Sequence, residues 1–206
     1  MHLEVFCLKN SHPLEPLAHY FKKLPGIGEK TAYRLAFHIL TRPKSEIEAF
    51  SKQLLETKDC ICSCEICYTI SNGSICSICS DPQRVSQLKL CVVSEPRDVF
   101  SLEKTGVFQG IYHVLGGLIS PLDGIHPEAL RIRELMERIN EQDYQEIILA
   151  INPTVEGDAT LLYLQECLKH LKTPISKLSY GLPMGADIEY ADSITLKRAL
   201  EGRVTL

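Results

Sequence analysis

Six cysteines fall within 20 residues: Cys60, Cys62, Cys64, Cys67, Cys76 and Cys79. Two Cys-x2-Cys knuckles stand out among them, Cys64-Glu65-Ile66-Cys67 and Cys76-Ser77-Ile78-Cys79, with eight residues between them. Two thiolates on one tight turn can occupy two vertices of a tetrahedron, so a pair of knuckles suits one zinc ion. Asn72-Gly73 lets the chain reverse between the pairs. The expectation is one structural zinc per chain, held by Cys64, Cys67, Cys76 and Cys79. Four thiolates leave no open position for catalysis. Cys60 or Cys62 could replace Cys64 as a ligand, though neither forms as good a pair with Cys67. The alternative is a set of unrelated buried or oxidised cysteines. Cys7, Cys91 and Cys167 are scattered and suit small buried apolar positions.

A second chemical feature precedes the cysteines. Leu24-Pro25-Gly26-Ile27-Gly28-Glu29-Lys30-Thr31-Ala32 follows a short helix candidate, Pro16–Lys23. An amphipathic stripe then recurs at Ala32, Leu35, Ala36, Ile39 and Leu40. Pro43 ends that helix, and a third helical segment is expected over Ser45–Leu55. The whole has the form of a helix–hairpin–helix. Its glycines would leave N–H groups bare at a helix N-terminus, which is a phosphate site. Gly26, Gly28, Lys22, Lys23, Lys30 and Arg34 are the candidate DNA-binding residues, acting on sugar-phosphate without reading bases. Valine at Gly28 is expected to crowd both turn and phosphate. The alternative is a structural hairpin. A Walker A loop is the poorer reading, since Glu29 separates Gly28 from Lys30 and no strand precedes the turn.

Charge supports the polyanion reading. Residues 1–58 carry nine Lys and Arg against six Asp and Glu; residues 59–206 carry 13 against 20. The window 16–44 holds six basic residues and one acid, a basic patch on a chain of net charge −4.

These residues need elements to place them. The 206 residues divide into a helical zone (1–58), a cysteine-rich zone (59–82) and an α/β zone (83–206). Strands are expected at Leu88–Val93, Ile111–Leu115, Glu146–Ile151 and Ser176–Tyr180. Helices are expected at Pro96–Thr105, Pro127–Asn140, Gly157–Leu171 and Ser193–Leu200. Such alternation predicts a mostly parallel sheet covered on both faces. Sites would then lie in the loops at the carboxyl ends of the strands. A hydrophobic fraction of 45% excludes wholesale disorder. No run reaches the ~18 apolar residues of a membrane span. The start, MHLEVFCLKNSHPLEPL, lacks a basic segment followed by an apolar run, so the expected compartment is the cytoplasm. The seven histidines are scattered and no Gly-x-Ser-x-Gly elbow is present, which leaves nucleophilic catalysis without support.

In this order, LPGIGEKTAYRLAFHIL, CEIC…CSIC, CVVSEPRDVFSLEKTG, GGLISPLDGI, INPTVEGDATLLYL and YGLPMGADIEYADSITLKRALEGR resemble the RecR family of bacterial recombination mediators over nearly the full length. The resemblance implies a C-terminal Toprim domain and binding of single- and double-stranded DNA. It also implies the partners RecO and RecF, nucleoid association on DNA, and a ring-like homo-oligomeric clamp, expected to be a tetramer. Active Toprim enzymes place one Glu after the first strand and an Asp-x-Asp after a later one, because Mg²⁺ prefers oxygen ligands. Glu95 matches the first. The later loop reads Asn152-Pro153-Thr154-Val155-Glu156-Gly157-Asp158, where the topoisomerase form is Asp-Pro-Asp-Arg-Glu-Gly-Glu. Asn152 and Thr154 replace both aspartates, so phosphoryl-transfer catalysis is not expected. Glu95, Glu156 and Asp158 are then loop carboxylates that pair with bases such as Arg97, or weak metal ligands. The rival function is a metal-dependent Toprim nuclease or topoisomerase-like enzyme; a third is a zinc-ribbon interaction protein without DNA affinity. Leu178–Asp192 resembles the family's Walker B-like segment. Its Tyr180, Leu182, Met184, Ile188 and Tyr190 suit either core packing or a subunit contact.

Overall fold

Residues 12–179, 181–182 and 185–203 are described by the structure, a computed structural model. Cys7, Tyr180, Pro183 and Met184 lie outside the described residues. The chain divides into two compact units, Met1–Asp59 and Cys60–Leu206.

In the first unit, α1 (Glu15–Lys22) and α2 (Glu29–Leu40) form a hairpin. Ala18, Ala32 and Ala36 are buried where the helices meet, with Leu14 beside them and Leu17, Phe21, Ile27 and Tyr33 packed around. The alanines at 32 and 36 fall on one helix face. Their small side chains let the helices approach. α3 spans Lys44–Cys60, five residues longer at its C-terminal end than expected, and buries none of its residues.

The second unit begins with a small antiparallel pair, β1 (Cys62–Ser63) with β2 (Ile70–Ser71). A short helix, α4 (Pro82–Val85), follows, its N-terminus capped by Asp81, which accepts from the Gln83 N–H at 2.8 Å. Next come β3 (Lys89–Val93), α5 (Pro96–Glu103), β4 (Ile111–Val114), α6 (Ile132–Glu141), β5 (Glu146–Ala150), α7 (Val155–Leu168), β6 (Ile175–Lys177) and α8 (Ser193–Glu201). These last four strands run parallel in the order β4-β3-β5-β6. This is the mixed α/β architecture with a parallel sheet read from the sequence.

Alternation along the strands builds two cores. Leu90, Val92, Ile147 and Leu149 face α6 and α7 through Leu135, Ile139, Leu161 and Leu164. Cys91, Val93, Tyr112 and Val114 face Val99 of α5 on the other side. Truncating a fully buried leucine such as Leu164 to alanine costs about 2–5 kcal/mol.

The helix expected over Pro127–Asn140 starts late. Pro127–Ala129 is a 3₁₀ turn and Leu130 is extended, so α6 starts only at Ile132. The Arg131 N–H is drawn off to the Leu115 carbonyl at 2.9 Å, and Leu130 is buried. A continuous helix from Pro127 would forfeit both. Cys91 is buried as expected, whereas Cys167 is only half-buried.

Candidate metal centre and nucleic-acid interface

The knuckles converge. The Sγ atoms of Cys64, Cys67, Cys76 and Cys79 all lie within 4.8 Å of one another, and all four residues are buried. Among the described residues this is the one group of three or more His, Cys, Asp or Glu side chains placed to share an ion. Cys67 and Cys76 Sγ are 3.5 Å apart, near the ~3.8 Å that a tetrahedral ion with ~2.3 Å bonds to sulfur requires. Backbone donors already point at the sulfurs: Cys76 N–H to Cys64 Sγ at 3.3 Å and Cys79 N–H to Cys76 Sγ at 3.5 Å. Burial opposes ionisation of Cys64, but N–H donors from Cys67, Cys76 and Ile66 outweigh it and bring the thiol down to about 7. Cys67 moves far upward, through its hydrogen bond with Cys79 and through burial, and burial lifts Cys76 to about 11. Four crowded thiols share few charges, and a dication among them would offset two of the four thiolate charges. An all-sulfur set of four converging donors fits a closed zinc site, which is tetrahedral when filled. Cys60 and Cys62 are exposed and outside this group; Cys62 Sγ instead donates toward the Gly73 carbonyl at 3.2 Å.

The module leans on the sheet. Ile78, in the second knuckle, packs against both sheet cores and the cysteine cluster. Arg84 of α4 makes a bidentate pair with Glu103 at 2.6 and 2.8 Å, and donates to the Gly110 and Phe108 carbonyls. The Tyr112 hydroxyl donates to the same carboxylate at 2.6 Å. The Arg84 bond holds Glu103 below the usual carboxylate range. Arg84 stands 19 residues from Glu103 and 26 from Gly110. Such separations leave no local spacing signal, which is why sequence reasoning missed the network.

In the hairpin, Gly26 adopts φ +78 and Gly28, at the N-cap of α2, adopts φ −80. Only Gly26 needs the left-handed region. A Cβ at Gly28 would meet no atom within 4 Å, so the expectation that valine there crowds the turn is corrected. Lys22, Lys23, Lys30 and Arg34 are all exposed around the turn. Lys22 pairs with Glu29 at 3.5 Å, and the Lys23 ammonium lies 5.2 Å from the Tyr20 ring centroid. His38, also exposed, accepts from Arg42 Nε at 3.1 Å.

At the carboxyl ends of the strands, the acidic residues are individually engaged or solvated. Glu95 pairs with Arg97 at 2.7 Å. Asp98 accepts from Ser94 Oγ and the Glu95 N–H, both at 2.8 Å. Glu156 is exposed, and Asp158 pairs with Arg198 of α8 at 2.5 Å. The neutral replacement Thr154 caps α7, accepting from the Gly157 N–H at 3.0 Å. A Cβ at Gly157 would lie 1.9 Å from the Asn152 carbonyl oxygen, so the loop closes tightly there. Where the enzymes carry ligands, this loop uses its side chain and backbone to hold its own shape. A 770 Å³ cleft beside it is lined by Asp158, Lys177, Ser179, Lys197, Arg198 and Glu201 among others, with mixed charge. In the last motif, Ile188 and Tyr190 are 66% and 83% exposed, so neither packs in the core. No helix of the described residues is long and apolar enough to cross a membrane.

Comparison with known proteins matches three family models in sequence order: "RecR, helix-hairpin-helix" over residues 14–58, "Toprim domain" over 89–179 and "RecR, C-terminal" over 181–204. The recombination protein RecR of Synechococcus elongatus is 50% identical over 193 residues, covering 94% of this chain and 96% of its own. That of Trichormus variabilis is 52% identical over 182 residues, covering 88% and 97%. That of Synechocystis is 50% identical over 191 residues, covering 93% and 82%.

Proposed function

The chain belongs to the RecR family of recombination proteins, and from that premise we propose that it is a non-catalytic, DNA-binding mediator of recombinational repair. The observation that carries this is the hairpin: a left-handed Gly26, an unobstructed Gly28 at the N-terminus of a 12-residue helix, and four exposed cations around them. Bare N–H groups and a helix dipole receive a phosphate, and Lys22, Lys23, Lys30 and Arg34 receive its neighbours. Such contacts ignore sequence and serve single and double strands alike.

One zinc per chain on Cys64, Cys67, Cys76 and Cys79 would cross-link the two knuckles and supply folding free energy to a module (residues 59–82) that has little core of its own. The division into a 1–58 hairpin domain, this module and an 83–206 Toprim domain follows from that role. Asn152 and Thr154 supply no charge at the Toprim loop. Glu95, Glu156 and Asp158 then form an acidic surface rather than a catalytic centre. RecO and RecF are the proposed partners, in the cytoplasm and on the nucleoid when DNA is bound. The working form is a closed homo-oligomer, a tetrameric clamp with basic hairpins facing its hole, since 206 residues are too few to encircle DNA alone.

The test is a purified-protein assay in three arms. Gel shifts with single- and double-stranded DNA should show binding, light scattering should show an assembly larger than the monomer, and added Mg²⁺ should produce no cleavage or relaxation. Metal-dependent cleavage abolished by Glu95→Ala would establish the nuclease reading instead. A strict monomer with and without DNA would refute the clamp.

A further inference from the structure

The first knuckle is held by the Toprim domain at three successive residues. Arg138 Nη1 donates to the Ile66 carbonyl at 3.3 Å and to the Tyr112 carbonyl at 2.6 Å. The Val114 N–H, at the end of β4, donates to the Cys67 carbonyl at 2.9 Å. The Arg131 guanidinium lies 4.6 Å from the centroid of the Tyr68 ring, within cation–π range. Residues 131 and 138 are seven apart, about two helical turns, so α6 and the residue that caps it present both arginines on one face. They bracket Cys67, one on the residue before it and one on the residue after.

The Tyr68 backbone is at φ +63, a left-handed conformation that a bulky residue adopts only when its surroundings enforce it. Its N–H donates to the Cys64 carbonyl at 2.9 Å, and its ring is held by the Arg131 guanidinium and by the His113 ring, 5.4 Å away and edge-on. His113 Nε2 donates in turn to the Arg131 carbonyl at 2.8 Å. Charge points the same way. A dication on four thiolates carries a net charge of about −2, in a site buried from water. Arg138 lines a 480 Å³ cavity together with the ligand Cys79, Ile66 and Glu141.

We propose that Arg131 and Arg138 are positioning residues of the metal centre: they fix the Cys64–Cys67 knuckle in its ligating geometry and set positive charge beside the metal–thiolate cluster, so that metal retention depends on the Toprim domain. By linkage, metal occupancy stabilises the β4–α6 connection to the same extent. Partners of this outer kind typically alter metal affinity about 10- to 100-fold.

The proposal rests on the reading of the cysteine cluster as a zinc site, and the experiment separates the two. Full-length protein would be loaded with zinc, and release to a chromophoric chelator timed for wild type, Arg131→Met, Arg138→Met, Arg138→Lys and Arg133→Met. The Co²⁺-loaded proteins would be compared by their thiolate charge-transfer and ligand-field bands. Each of Arg131→Met and Arg138→Met should release zinc about 10- to 100-fold faster while keeping a tetrahedral cobalt spectrum at saturation, which shows that the module still folds. Arg138→Lys, which keeps the charge, should recover part of the loss and serves if the methionine variant does not fold. Arg133, exposed on the same helix and paired with Glu134 and Glu137, should behave as wild type. Wild-type release rates from both Arg131→Met and Arg138→Met, or equal acceleration by Arg133→Met, would overturn the proposal while leaving the zinc site intact. Wild-type protein that takes up no metal would defeat the zinc site and this proposal together.

Discussion

Replacing Lys22, Lys23 and Lys30 together by alanine tests where the DNA is held. All three are exposed around the hairpin turn, so their removal leaves its buried packing, Ala18, Ala32 and Ala36, untouched. Each duplex phosphate that is no longer neutralised flattens the plot of log affinity against log salt by ~0.9, so three flatten it by ~2.7. If the lines meet near 1 M salt, affinity at 0.1 M falls about 500-fold. The local geometry refines this. Lys22 must exchange its Glu29 partner for phosphate, and that pair is exposed on both sides, so the exchange costs no more than ~1 kcal/mol. Glu29→Gln should therefore tighten binding by removing the competitor and the one anion beside the phosphate. The assay is fluorescence anisotropy of two unrelated labelled duplexes across a salt series. The weakening should be the same for both, because backbone contacts carry no sequence information. An unchanged slope and affinity, with helix content intact by circular dichroism, would refute the reasoning and assign the hairpin a purely structural role.

Three further outcomes follow from the geometry. Cys64→Ser or Cys79→Ser should lose the metal and unfold the module while Cys60→Ser keeps it; full zinc content in Cys64→Ser, measured by atomic absorption, would show a wrong ligand. Gly26→Val should cost about 1–2 kcal/mol in a urea melt because φ +78 is left-handed, whereas Gly28→Val should cost the hairpin's turn nothing from crowding; equal destabilisation by the two would contradict the assigned backbone. Burial lowers His113 to about 4 from an ordinary 6.5, so the unfolded chain takes up the proton first. Its contribution, about 3 kcal/mol, is fully present above pH 6.5 and lost as pH falls toward about 4, followed at lower pH by that of Glu103. Ring resonances of His113 that titrate near 6.5 in the folded protein would refute this.

Much of the molecule was legible from spacing because the relevant physics is local. Two thiolates on a Cys-x2-Cys turn, an i, i+3, i+4 stripe over Ala32–Leu40, and strands alternating with helices each encode neighbours within a turn or a pleat. The neutral Asn152 and Thr154 could likewise be read directly as missing charge. Local signals also misled where a distant partner intervened. Pro127–Asn140 has helical spacing, yet the Arg131 N–H is drawn to the Leu115 carbonyl just past β4 and the helix begins later. Gly28 sits in a turn motif, yet its φ is ordinary. Neighbours in the chain dictated the knuckles, the hairpin and the parallel α/β order. Packing alone decided that Arg84 meets Glu103 and Tyr112, that Arg198 meets Asp158 across 40 residues, and that Arg138 meets Ile66 across 72. Such pairs form only after the sheet and helices have fixed one another in space, and no periodicity in the chain records which cation will then stand beside which carbonyl or carboxylate.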